Sequence, residues 1–195
     1  MSKENDLKNF INKINNPLYL NLSLFLNFND YIKKCDTDVR TSYNKYLRNY
    51  FKFERLYIIG PTEQSQLWDI WTSTNTRQNR PLNLYYEKIN GSREEIKVNH
   101  WPIADYLEYT FPNCSLEFYA ISKDDKIVAY LEIIISDKMA IVHSTLGHHS
   151  YLKFGIMKSL FVETIKLKWD LIDKFVYGSV DQKDYFKTDL LIGSK

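Results

Sequence analysis

Between Leu116 and Trp169 the spacing of apolar residues switches from every second position to every third or fourth, and a glycine-bearing turn sits at the switch. Leu116 to Ile121 alternates as a strand. Lys123-Asp-Asp125 is a tight turn, and Ile127 to Ile135 is a second strand that is apolar almost throughout. A run of that kind is covered on both faces. Ser136-Asp-Lys138 turns the chain again, into a third strand from Met139 to Leu146. After Gly147-His-His-Ser150 a long amphipathic helix is expected from about Tyr151, with Ile156, Leu160, Phe161, Ile165 and Trp169 as its buried stripe. Phe175 to Val180 and Leu190 to Ile192 read as two further strands, separated by a loop or helical turn at Asp181 to Phe186. The order describes an α+β fold around a mixed, mostly antiparallel sheet, with one face covered by helices from the first half of the chain.

That first half is more broken. Residues 1 to about 27 read as a short helix, a break at Asn15-Asn16-Pro17 and an apolar, strand-like run from Leu18 to Leu26. They are expected to form an N-terminal extension packed on a single domain of residues 28–195. From Asn29 the pattern is helical. Tyr31, Val39, Tyr43, Leu47 and Tyr50 recur at three- and four-residue spacings, with a slip near Cys35-Asp36, and Lys33, Lys34, Arg40, Lys45 and Arg48 lie on the other side. Phe53 to Ile59 reads as a strand stopped by Gly60-Pro61. A helix opening at Thr62 or Glu63 runs to about Thr74, with Leu67, Ile70 and Trp71 inward. Thr76 to Asn83 reads as a polar loop, Asn90-Gly91 as a turn, and His100 to Leu107 as a short helix.

Composition narrows the class. With 195 residues, 44% of them hydrophobic and 26% charged, the chain can bury a globular core. A net charge of +2 does not by itself point to nucleic acid. Cys35 and Cys114 are far apart and lack metal-ligand spacing, which suits a reducing compartment. No apolar run is long enough to span a bilayer, and Met1-Ser-Lys-Glu-Asn-Asp6 has no apolar signal-peptide core. A cytoplasmic location away from membranes is expected. The 15 tyrosines either stack on bases or sugars or serve as half-buried packing.

Three of the four histidines, His143, His148 and His149, and two of the six glycines fall in the stretch from Met139 to Trp169. A strand that enters a helix through a glycine turn presents free backbone N–H groups at the helix start, a geometry that binds phosphates and other anions.

The order of elements and the place of the glycine resemble the GNAT superfamily of N-acyltransferases over about residues 115 to 193. Asp125 to Tyr130 looks like one strand of that family's meander. Met139 to Leu146 looks like its central strand, and Tyr151-Leu-Lys-Phe-Gly-Ile-Met157 like the loop that enters the cofactor helix. The resemblance implies a three-layer α-β-α domain whose central strand splays from its neighbour. It also implies acetyl-coenzyme A, or another acyl-coenzyme A, as acyl donor, held by Leu146, Lys153, Phe154, Gly155 and Ile156. The family's loop has Gln or Arg, then Gly, then Gly or Ala at three set positions; this chain has Leu152, Gly155 and Met157. Met157 is expected to crowd a diphosphate. A second resemblance, to Fem-type domains, rests on the basic segment Asp30 to Arg55, on Arg77-Gln-Asn-Arg-Pro81 and on Asp184 to Asp189. It implies aminoacyl-tRNA or another activated carrier as donor, with the stretch from Arg40 to Lys52 as a basic helix on which tRNA or another nucleic acid would lie.

Acyl transfer to an amine needs a group that takes the amine's proton and one that protonates the departing group. His143 lies mid-strand and shares a face with Thr145 if alternation is regular; it is a general base or a buried structural histidine. Glu132 lies in an apolar strand and is either a base or an outward-facing polar residue; a carboxylate buried there is costly unless paired or functional. Where the family places its proton donor, the resemblance puts Tyr185. His148 and His149 contact substrate or are a solvated pair. Arg77 and Arg80 clamp an anionic substrate or lie in a solvated loop. The histidine spacing matches no established metal motif, so no metal is expected. The leading expectation is acetyl transfer from coenzyme A to an amine of unread class by direct attack in a ternary complex. A Fem-like transferase and a non-enzymatic binding module on the same fold are the alternatives.

Overall fold

The computed structural model describes residues 17–74, 76–77, 80–81 and 114–179. In chain order the elements are β1 (Pro17–Asn21), a 3-10 turn (Leu22–Leu24), α1 (Phe28–Lys34), α2 (Thr37–Arg48), β2 (Lys52–Leu56), α3 (Pro61–Thr72), β3 (Thr76–Arg77) and β4 (Arg80–Pro81). Then come β5 (Cys114–Lys123), β6 (Lys126–Ser136), β7 (Met139–Gly147), a 3-10 segment (His149–Phe154), α4 (Ile156–Lys168) and β8 (Lys174–Ser179).

Local chemistry sets most of the boundaries. The Asn27 side chain accepts the Asp30 N–H and starts α1; the Asp36 side chain accepts the Asp38 N–H and starts α2. The break between these caps is the slip in the helical pattern at Cys35-Asp36. Pro61 opens α3, and the Glu63 carboxylate accepts the Gly60 N–H at 2.9 Å. Asp124 and Asp125 both have positive φ, 51° and 60°, which gives the two-residue β5–β6 hairpin the twist its strands require.

Six strands form one sheet in the order β1-β8-β7-β6-β5-β2. Every pairing is antiparallel except β7 with β8. Tyr119, Leu131, Ile133 and Ala140 point to one face, where they meet Tyr31, Val39 and Tyr43 of α1 and α2 and Leu160, Phe161 and Ile165 of α4. Ala120, Tyr130 and Leu146 point to the other face and pack on Leu67 and Ile70 of α3. The first-half helices therefore lie on both faces, and the domain has three layers. Each large side chain buried this way contributes roughly 1.5–3 kcal/mol.

Several expectations are corrected. The inner stripe of α2 is Val39, Tyr43 and Tyr46, while Leu47 and Tyr50 are exposed. Tyr50 lies beyond the end of the helix in the left-handed region, at φ 56°, so it no longer follows the helical face. Lys52 belongs to β2, so the basic helix ends at Arg48, and the strand expected at Phe53 to Ile59 is Lys52–Leu56. The polar segment at Thr76 holds a two-residue hairpin in which Arg77 pairs with Arg80. The α-helix expected from Tyr151 starts at Ile156, because Gly155 at φ 75° interrupts the helical path. Residues 1–16, Asn90-Gly91, His100 to Leu107 and everything from Val180 onward, including Tyr185 and Leu190 to Ile192, lie outside the described residues.

Candidate functional site

The register between β6 and β7 slips by one residue. Glu132 is opposite Ser144 and Ile133 is opposite Val142, so His143 is the extra residue of a β-bulge. The bulge breaks the alternation on which the pairing of His143 with Thr145 rested. Val142 packs on the α4 side of the sheet. His143 and Ser144 both turn to the α3 side, where His143 Nδ1 lies 2.9 Å from Glu132 Oε2 and Ser144 Oγ lies 3.2 Å from the Tyr130 hydroxyl. Thr145 sits opposite Leu131, and its hydroxyl donates to the Tyr130 carbonyl.

The Glu132 side chain is fully buried, whereas that of His143 is 28% exposed. Glu132 Oε1 has no hydrogen-bond partner among the described residues. Leaving a buried carboxylate oxygen unpaired costs about 1–3 kcal/mol or more, so this pair is maintained against the preference of a sheet interior. Chemically it is a carboxylate behind an imidazole, with the imidazole at the surface.

β7 parts from β8 at the same level. Their parallel pairing runs Met139↔Lys174, Ala140↔Phe175 and Ile141↔Val176. β7 continues to Gly147 and β8 to Ser179 without a further ladder pair between them. The splayed central strand expected from the resemblance is present, and the bulge sits just past the last pair. A bulge adds local twist, which turns the rest of β7 away from its parallel neighbour.

Beyond β7 the chain enters the glycine turn. The His148 N–H donates to the Val128 carbonyl at 2.8 Å. The His148 ring nitrogen Nδ1 accepts the Ser150 N–H at 3.3 Å, and its ring packs edge-on against Tyr151. Burial holds its pKa below the ordinary histidine value, against the opposing pull of Asp69. His148 thus caps the 3-10 segment. His149 is exposed, and its N–H donates to Ser73 Oγ just beyond α3. Lys153 is exposed, with its ammonium 5.2 Å from the Phe154 ring centre. Leu146 and Ile156 are core residues on opposite faces of the sheet.

The space over this turn is filled. A Cβ on Gly155 would lie 2.7 Å from Ser42 Cβ and 2.8 Å from Ser42 Cα and O, so α2 rests on the glycine. A Cβ on Gly147 would meet Met157 Sδ at 2.5 Å and Leu152 Cδ2 at 3.1 Å. An ion pair between Lys158 and Asp38 holds α2 against α4. The Gly155 N–H is also committed to the Leu152 carbonyl at 3.0 Å, so Gly155 itself offers a diphosphate neither an open Cα face nor a free N–H.

Sequence reasoning missed Ser42, Tyr130 and Ser144. The polar run His143-Ser-Thr145 inside an apolar strand was the available sign of the bulge. Among the described residues no group of three or more His, Cys, Asp and Glu side chains is arranged to hold a metal ion. None of their helices is long and apolar enough to cross a membrane.

The splayed parallel pair, the antiparallel meander and the helix entered through a glycine define a GNAT-like fold. No protein-family model matches the sequence, and no curated protein does. Solved structures do. FemX superimposes with a TM-score of 0.59 at 8% identity, over 90% of this chain and 57% of that one. L-PGS from Bacillus licheniformis gives 0.54 at 18% identity, over 85% of this chain and 46% of that one. The C-terminal domain of a protein named as a lysylphosphatidylglycerol synthetase from Agrobacterium fabrum gives 0.53 at 19%, over 85% and 47%. The chain spans about half the length of these structures. At such identities the likeness is one of fold.

Proposed function

We propose that this chain is an acyltransferase domain that passes an acyl group from an activated ester to an amine at the opening between β7 and β8. The observation that carries the reading is the Glu132–His143 pair on the bulge, at the level where β7 leaves β8. The amine nitrogen attacks the acyl carbon, a C–N bond forms, and the ester C–O bond breaks. The Glu132–His143 pair takes the proton the amine loses, and the departing oxygen gains one, with Tyr185 as its donor in this reading. Holding amine and ester in contact supplies much of the rate.

An aminoacyl ester on a carrier such as tRNA is the donor class this reading favours over coenzyme A. Ser42 covers Gly155 and the Gly155 N–H is already bonded to the Leu152 carbonyl, and an ester at the end of a carrier does not depend on that turn. One match of fold alone carries a name that gives its product a lysyl group, which is an aminoacyl group. Lys45 and Arg48 are exposed in the last turn of α2 and offer phosphate contacts, whereas the Arg40 guanidinium is committed to the Lys33 carbonyl and Thr37 Oγ1.

The test is a transfer assay with labelled aminoacyl-tRNA and labelled acetyl-coenzyme A, each against a panel of amines, with calorimetry of both donors. Transfer from aminoacyl-tRNA with no heat from acetyl-coenzyme A is expected. Transfer from acetyl-coenzyme A alone overturns the donor, and transfer from neither overturns the enzymatic reading in favour of a binding module.

A further inference from the structure

The Glu132–His143 pair contains two groups able to take a proton, and the reading above does not choose between them. Their burial does. Glu132 is wholly enclosed, and its free oxygen is as inaccessible as the bonded one. A substrate amine in the β7–β8 opening cannot touch it. His143 is bonded to Glu132 through Nδ1, and more than a quarter of its side chain is open to solvent.

A neutral imidazole carries its single proton on one nitrogen and accepts on the other. A carboxylate only accepts, so its partner nitrogen must be the donor. The geometry points to Glu132 as a positioning residue that holds His143 in the Nδ1–H tautomer, leaving Nε2 as the atom that receives the proton of the acceptor amine. This assignment rests on the acyl-transfer reading for its purpose but not for its measurement. The bulge sets His143 and Ser144 side by side on the α3 side of the sheet, with His143 against Glu132. Backbone pairing on either side of the bulge then fixes where the ring stands.

The experiment is 15N NMR of the imidazole on the full chain, well above the ordinary histidine pKa. His143 is identified among the four histidines by the signal lost in His143→Gln. The wild-type protein is expected to show a protonated Nδ1 and a bare Nε2. Glu132→Ala should give nitrogen shifts averaged between the two tautomers. A protonated Nε2 in the wild type, or a pattern unmoved in Glu132→Ala, overturns the assignment. Should Glu132→Ala not fold, a wild-type spectrum showing protonated Nε2 overturns the assignment by itself. A locked tautomer in a protein that transfers no acyl group would remove the acyl-transfer reading and leave the assignment standing; transfer by a protein with averaged tautomers would do the reverse.

Discussion

Ser42 of α2 lies directly over Gly155, the left-handed residue that separates the 3-10 segment from α4. Two independent constraints meet at this glycine. Its φ of 75° disfavours any side chain, and the α2 backbone leaves no room for a Cβ. Gly155→Ala is therefore expected to destabilise the domain by about 2–4 kcal/mol, the strain of a non-glycine left-handed residue plus a packing clash. Urea denaturation checks this. A loss under about 1 kcal/mol would mean that α2 moves aside easily, and would reopen the turn to a diphosphate.

Glu117 anchors a buried network on the α4 side of the sheet. Its carboxylate meets the Lys168 ammonium at 2.6 Å, the Arg55 guanidinium at 3.2 Å and the Tyr119 hydroxyl at 2.6 Å. Removing Glu117 leaves the Lys168 cation buried without its carboxylate. Glu117→Ala should cost about 3–5 kcal/mol, whereas the double change Glu117→Leu with Lys168→Met should recover most of that loss. Denaturation of the single and double variants measures the difference, and equal losses would show that the network is not coupled.

Cys35 is buried between α1 and α2, and burial raises its thiol pKa to about 11. Because the folded value lies above the unfolded one, the associated stability is fully present below the unfolded thiol pKa. It is lost as pH rises from there through about 11. The loss is expected to reach about 2 kcal/mol, read as the difference in pH dependence between the wild-type protein and Cys35→Ala. Labelling gives a second check: Cys114, which is partly exposed, should react with a thiol reagent in the native protein, and Cys35 only on unfolding. Equal rates would place Cys35 within reach of solvent.

The donor reading makes a demand on α2. If Lys45 and Arg48 meet carrier phosphates, the double change Lys45→Gln with Arg48→Gln should weaken aminoacyl-tRNA binding. It should also lower the slope of log affinity against log salt by roughly 1–2. Arg40→Gln should act mainly through stability, because its guanidinium braces the junction of α1 and α2. Fluorescence titration of tRNA at several salt concentrations checks this. An unchanged slope would move the carrier to another face.

Much of the architecture was legible in the local pattern of the chain. The β5, β6 and β7 meander, the break at Cys35-Asp36, the opening of α3 after Gly60-Pro61 and the stripe Ile156, Leu160, Phe161 and Ile165 all rest on short-range rules of period, capping and turn chemistry. These rules act between residues a few positions apart, so they can be read from order alone. The polar residues Glu132 and His143 stood out for the same reason, as exceptions to an apolar pattern.

What joins Glu132 to His143 is a pairing between two strands. A one-residue slip in register changes which face every later side chain takes, and within β7 its one sign is the polar run His143-Ser-Thr145, which does not say which strand it meets or where. Gly155 carried the expectation of an open anion site because the residue over it, Ser42, is more than a hundred positions away in the chain. Sequence by itself determined the elements, their order and the residues capable of chemistry. Only the tertiary structure decided which of those residues meet and which spaces are already filled, because contact and exclusion are set by packing between segments distant in the chain.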